Sequence, residues 1–128
     1  MRNDRHYEIC KALSVYIKLQ YPKIIYHFDY AGLGLSKAQA GKMKEIQGER
    51  GYPDIFISEP RLCYHGLYIE LKKEGEKLYK KDEITPVSDH VKEQIEMIIQ
   101  LNNRGYKADF AIGFDDAKKK IDKYLNLK

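Results

Sequence analysis

Residues 67 to 73 read LYIELKK, and residues 51 to 57 read GYPDIFI. Each is a short run rich in β-branched and aromatic residues, the composition of a buried strand. Yet the first contains Glu70 and Lys72, and the second contains Asp54. Successive strand side chains point to opposite faces, so Leu67, Ile69 and Leu71 turn into a core. Glu70 and Lys72 share the other face, roughly 6 to 7 Å apart. If the two runs pair, Asp54 comes to lie across from Glu70 on that face. Two carboxylates so placed repel each other and lose hydration unless a cation lies between them. An oxygen-rich site of this kind suits Mg²⁺ or Mn²⁺. Beside it, the Lys72 ammonium would position a water or stabilise developing charge. The plainer alternative is an amphipathic strand whose polar side meets solvent, with Asp54 capping a turn after Pro53.

The flanking sequence supplies the layers these strands need. Residues 4 to 20 space Ile9, Ala12, Leu13, Tyr16 and Ile17 at helical intervals, with Asp4 available as a cap and Pro22 as a stop. KIIYHF (23–28) predicts a strand. The next stretch holds glycines and basic residues, with room for a short helix over 36–47. PDIFI (53–57) and GLYIELK (66–72) predict a hairpin. After a charged loop, Ser88 can cap a helix running to about Arg104, with Val91, Ile95, Ile98 and Ile99 on one face. KADFAIGF (107–114) predicts a strand, and DDAKKKIDKYLNLK a last helix with Ile121, Tyr124 and Leu125 inward. A strand–helix–strand return implies at least one parallel pair. The expected fold is α/β, a mixed central sheet flanked by helices, in one domain spanning residues 1–128.

Bulk properties fit a globular protein. The 128 residues are 43% hydrophobic and 33% charged, which argues against disorder. No apolar run approaches the roughly 18 residues of a membrane span, and the charged N-terminus has no signal-peptide core, so a cytoplasmic protein is expected. The net charge of +4 and a pI near 8.9 permit a polyanionic partner. Cys10 and Cys63 lack metal or redox spacing and read as reduced structural thiols.

Pro53-Asp54 followed by Glu70-Leu71-Lys72 resembles the PD-(D/E)xK nuclease superfamily. More narrowly, the chain is similar to the virus-type replication–repair nuclease (VRR-NUC) domain. The likeness is carried by Arg50-Gly51-Tyr52-Pro53-Asp54 entering a strand, Ile69-Glu70-Leu71-Lys72, a helix bearing Gln94, and the Asn-Asn-Arg-Gly-Tyr turn. It covers nearly the whole chain, implying a stand-alone domain with a restriction-endonuclease-like core. The resemblance implies that Asp54, Glu70 and the main-chain carbonyl of Leu71 hold a Mg²⁺ or Mn²⁺ ion and that Lys72 assists the attacking water. It also points to Glu8, since such nucleases often place another acid in the first helix; Glu8 shares an apolar row with Ala12, Val15 and Leu19. Gln94, one turn after His90, would orient Lys72 or a water, while His90 reads as a helix-start residue.

Loops flanking these positions carry Lys73, Lys77 and Lys80 on one side and Lys42, Lys44 and Arg50 on the other. Such residues can track a phosphate backbone without reading its sequence. The expected activity is hydrolysis of DNA phosphodiesters in replication, repair or recombination. A single-domain nuclease of this size fits a phage genome, acting in a bacterial or infected cell. Stand-alone relatives resemble Holliday-junction resolvases, which implies a homodimer that prefers branched DNA. Leu33, Leu35, Met43 and Ile46, too apolar for a free loop, give that dimer a motive. The alternative is a nucleic-acid-binding or assembly module on the same fold without catalysis.

Overall fold

A computed structural model of the chain describes residues 4–29, 34–48 and 50–128. LYIELK forms a strand, β3 (Leu67–Lys72), in which all six residues are buried, as a strand covered on both faces must be. IFI forms β2 (Ile55–Ile57), antiparallel to β3 with Ile55 opposite Ile69 and Ile57 opposite Leu67. On its far side lies β1 (Tyr26–Phe28), also antiparallel, and beyond β3 lies β4 (Lys107–Ile112), parallel to it. The sheet order is β1-β2-β3-β4. The expected mixed α/β sheet is therefore the observed one.

Alternation along β3 divides the core. Leu67, Ile69 and Leu71 join Ile55 and Ile57 beneath two helices, α1 (Asp4–Gln20) and α4 (Gly113–Leu125). These helices contribute Ile9, Leu13, Ile17, Ile121, Tyr124 and Leu125. On the opposite face Tyr68 and Ala108 pack against Met97, Ile98 and Leu101 of α3 (Asp89–Asn103). The Ser88 hydroxyl caps α3 by accepting from the Val91 N–H at 3.1 Å. The short helix α2 (Lys37–Ile46) starts on a capping box between Ser36 and Gln39 and has no buried residue.

Several boundaries and faces differ from the sequence expectation. The first strand is confined to 26–28, because the Ile24 N–H turns back to the Tyr21 carbonyl at 3.1 Å. β2 starts at Ile55 rather than Pro53. β4 stops at Ile112 because Gly113 adopts φ of 82° and opens α4. On α3 the buried stripe is Val91, Gln94, Met97, Ile98 and Leu101. Ile99, one step around the helix, is 53% exposed. On α1 the Ala12–Val15–Leu19 row faces solvent, since Ile9, Leu13 and Ile17 hold the inward stripe. Asp4 is the first residue of α1; its side chain, like Leu33, lies outside the described part.

Asp122 of α4 ties the C-terminal end of α1 to the domain. Its Oδ1 accepts from the hydroxyls of Tyr16 and Tyr21, each at 2.6 Å, and its Oδ2 from Lys118 at 3.2 Å. Burial alone would raise this carboxyl, but the two phenols and Lys118 outweigh it and hold the group below its ordinary 3.8. A carboxyl with a depressed folded-state pKa stabilises above its unfolded value, and that contribution fades as pH falls through the folded one. Asp122→Ala should therefore cost about 2 kcal/mol at neutral pH, the scale of hydrogen bonds to a charged group. In denaturant titrations the gap between wild type and variant should narrow below about pH 4; a constant gap would show that the carboxylate's charge is not what matters.

Candidate active site

The polar face of β3 meets the start of β2 at one end of the sheet. Gly51 and Pro53 fix the entry into β2. Pro53 is fully buried, and Gly51, at φ 77°, lies so close to α3 that a Cβ there would be 2.8 Å from the Glu93 carbonyl oxygen. Asp54 follows, its main-chain oxygen accepting from the Asp29 N–H at 2.7 Å. Its carboxylate Oδ2 accepts from the Leu71 N–H at 2.8 Å and lies 3.5 Å from His6 Nε2.

The register that puts Ile55 opposite Ile69 brings Asp54 across from Glu70, close enough for each carboxyl to act on the other. Glu70 is only 5% exposed. Burial first, then the Asp54 charge, pushes it well above its ordinary value; Lys72 and His6 pull the other way less strongly. For Asp54, burial is outweighed by hydrogen bonds from His6, from Glu70 and from the Leu71 N–H, which keep it below 3.8. His6 is raised to about 10, chiefly by its hydrogen bond to Asp54 and then by Cys10, against its burial. Burial and the Asp54 charge thus disfavour ionising Glu70, while His6 and the Leu71 N–H favour the ionised form of Asp54.

These residues fit a hard divalent cation. Among the described residues no group of three or more His, Cys, Asp or Glu side chains is placed to hold a metal, so a cation here would be held by two carboxylates and the main chain. In an extended strand the N–H and C=O of one residue leave by the same edge. The Leu71 carbonyl therefore faces the side on which its N–H meets Asp54. Mg²⁺ typically binds through one or two carboxylates and completes its shell with water and substrate phosphate. A cation there would also relieve the repulsion that raises the Glu70 carboxyl.

Lys72 is 7% exposed, and its Nζ donates to Gln94 Oε1 at 2.7 Å. An ammonium can only donate, which fixes the amide orientation and turns Gln94 Nε2 toward His90 Nε2 at 3.2 Å. That nitrogen must then accept, so His90 carries its proton on Nδ1. His90, expected only as a helix-start residue, is part of the constellation. Asp54, Glu70, Leu71, Lys72 and Gln94 all line one cleft of about 720 Å³, together with His6, Asp29, Tyr52 and His90. Lys44 and Arg50 line it as well, and Arg50 lies 3.9 Å from Glu93.

Other sequence candidates stand apart. Glu8 is a correction: its side chain is 65% exposed, 3.6 Å from Arg5 and outside the cleft. The α1 residue that reaches the carboxylates is His6. Its signal is its place three residues before Ile9, on the row that buries Leu13 and Ile17. Lys42, Lys73, Lys77 and Lys80 are exposed and do not line the cleft.

The sheet order and the site at the β2–β3 end define a restriction-endonuclease-like α/β domain. A solved VRR_NUC domain protein has a TM-score of 0.67 to this chain at 26% identity, over 96% of this chain and 89% of that one. The chain is therefore a VRR-NUC-like, nuclease-type domain. No protein-family model and no curated protein matches it.

The charge arrangement makes a thermodynamic prediction. Glu70→Gln removes a buried carboxyl whose ionisation burial and Asp54 oppose, so in metal-free buffer near pH 8 the variant should melt about 4 °C above wild type, the shift of roughly 1 kcal/mol in a domain this size. Adding Mn²⁺ should raise the wild-type midpoint and leave the variant's nearly unmoved. A variant that melts lower than wild type without metal would mean that the carboxyl pair is not strained.

Proposed function

We propose that the protein is a divalent-metal-dependent deoxyribonuclease that hydrolyses phosphodiester bonds. The observation that carries this reading is the pairing of half-buried Asp54 with buried Glu70 and buried Lys72 in one cleft. Asp54, Glu70 and the Leu71 carbonyl would hold Mg²⁺ or Mn²⁺. Such an ion supplies Lewis-acid polarisation of a phosphoryl oxygen and acidifies water beside it. Lys72, aimed by Gln94, holds the attacking water and balances charge accumulating on the phosphorane-like transition state. His90 keeps the Gln94 amide from turning over. Lys44 and Arg50 face the phosphate backbone within the cleft, and Lys42, Lys73, Lys77 and Lys80 extend the basic surface around it.

The proposed substrate is branched DNA such as a four-way junction, cut by a homodimer in replication, repair or recombination. Support for the dimer comes from α2, which has no buried residue and exposes Ile46. A two-fold mate would cover it and set two sites against opposing strands. The competing reading is a DNA-binding module without turnover; it predicts binding without cleavage in any metal.

Fluorescent duplex, flap and junction DNA incubated with Mg²⁺, Mn²⁺ or EDTA decides between them. Cleavage should need the metal, and Asp54→Ala and Glu70→Ala should each abolish it while the protein stays folded. Lys72→Ala should lose a factor of about 10² or more in kcat, with metal binding by calorimetry retained. Cleavage that survives in both carboxylate variants, or in EDTA, would contradict the proposal.

A further inference from the structure

Tyr52 lies two residues from Asp54 and lines the same cleft, and the residue is 46% exposed. The other residues of that cleft are almost all charged, polar or glycine, with Leu71 the one other apolar residue among them. The exposure does not come from looseness. The Tyr52 hydroxyl donates to the Tyr68 hydroxyl at 3.0 Å. The two rings meet edge to face, with centroids 5.4 Å apart at 80°. Tyr68 is itself buried and stacks on Phe56 at 4.3 Å and 27°. The backbone on either side is pinned by Gly51 against α3 and by buried Pro53.

A rigid, half-open aromatic ring beside a phosphate-handling site has an obvious chemical complement, the π-face of a nucleobase. In uninterrupted duplex both faces of every base are already stacked. A base face is free only where a nucleotide is unpaired, as at a flap, a gap or a branch. We infer that Tyr52 is a stacking platform for an unpaired nucleobase next to the scissile phosphate, and that the site selects DNA with an unpaired nucleotide at the cleavage point. This rests on the nuclease reading for the position of the phosphate. It gives that reading a physical source of structure selectivity within a single chain.

The direct test uses the full-length protein with oligonucleotides carrying 2-aminopurine, whose fluorescence is quenched on stacking, at an unpaired or a paired position beside a junction. Binding is followed in Ca²⁺ by anisotropy on a separate label. Wild type and Tyr52→Phe, which keeps the ring and loses only the hydroxyl contact, should quench the unpaired probe. Tyr52→Leu, apolar but without a π-face, should bind more weakly and not quench it. Cleavage in Mn²⁺ should show the preference for unpaired over duplex substrate falling about tenfold in Tyr52→Leu, the size expected of one base–aromatic stack, and restored in Tyr52→Phe. Equal quenching by wild type and Tyr52→Leu, no quenching by wild type, or no DNA binding at all would each overturn the inference. Tyr52-dependent quenching without cleavage in any metal would instead sustain the base site and remove the nuclease reading.

Discussion

Glu70 and Asp54 press two carboxyl groups together at the end of a sheet, in a strand with no exposed residue. Burial and mutual repulsion both oppose ionising Glu70, and only one proton or one cation can resolve the conflict. The surrounding structure is arranged around that constraint. His6 reaches in from α1, the Leu71 N–H comes from the neighbouring strand, and Lys72 stands two residues further along the same face. Each supplies positive charge or a hydrogen-bond donor to a spot that would otherwise be unfavourable for any anion.

The fold explains why these groups can converge. Pairing of β2 with β3 fixes which residues oppose each other, and strand alternation then decides that Glu70 and Lys72 leave the core that Ile69 and Leu71 build. α3 covers the same face as Tyr68, and its buried stripe includes Gln94 in the middle of Val91, Met97, Ile98 and Leu101. A polar residue in that stripe is acceptable only because Lys72 satisfies it; no buried side-chain nitrogen or oxygen among the described residues lacks a partner. Lys72 and Gln94 are thus mutually required, each burying the other's polar atom at low cost.

Much of this was legible in the sequence, for a physical reason. Period-two alternation in LYIELK states both which side is core and which residues break the pattern, so Asp54, Glu70 and Lys72 could be placed on one face before any coordinates existed. Gln94 was legible as the polar member of a helical row. The inward stripe of α1, carrying Ile9, Leu13 and Ile17, was legible too; what failed was the placing of Glu8. Ala12, Val15 and Leu19 form an apolar row that happens to face solvent, and Glu8 was carried out with it. The row that actually packs runs from Ile9 through Leu13 to Ile17, and its extension by one turn is His6. Apolar side chains alone do not say which polar residue joins the inward face of a short helix, because the sheet that selects it is distant in sequence. Asp29, Tyr52 and His90 were missed for the same reason: each reaches the cleft through the packing of elements that no local pattern relates.

The proposed chemistry depends on the Asp54–Glu70 pair being a cation site. Crystals of the protein grown or soaked in Mn²⁺ and measured for anomalous scattering locate that ion directly. A single strong peak within bonding distance of both carboxylates and the Leu71 carbonyl, with Lys72 still held by Gln94, is the expected result. A cleft without a peak at saturating Mn²⁺, or a peak bound elsewhere while Glu70 stays against Asp54, would contradict it.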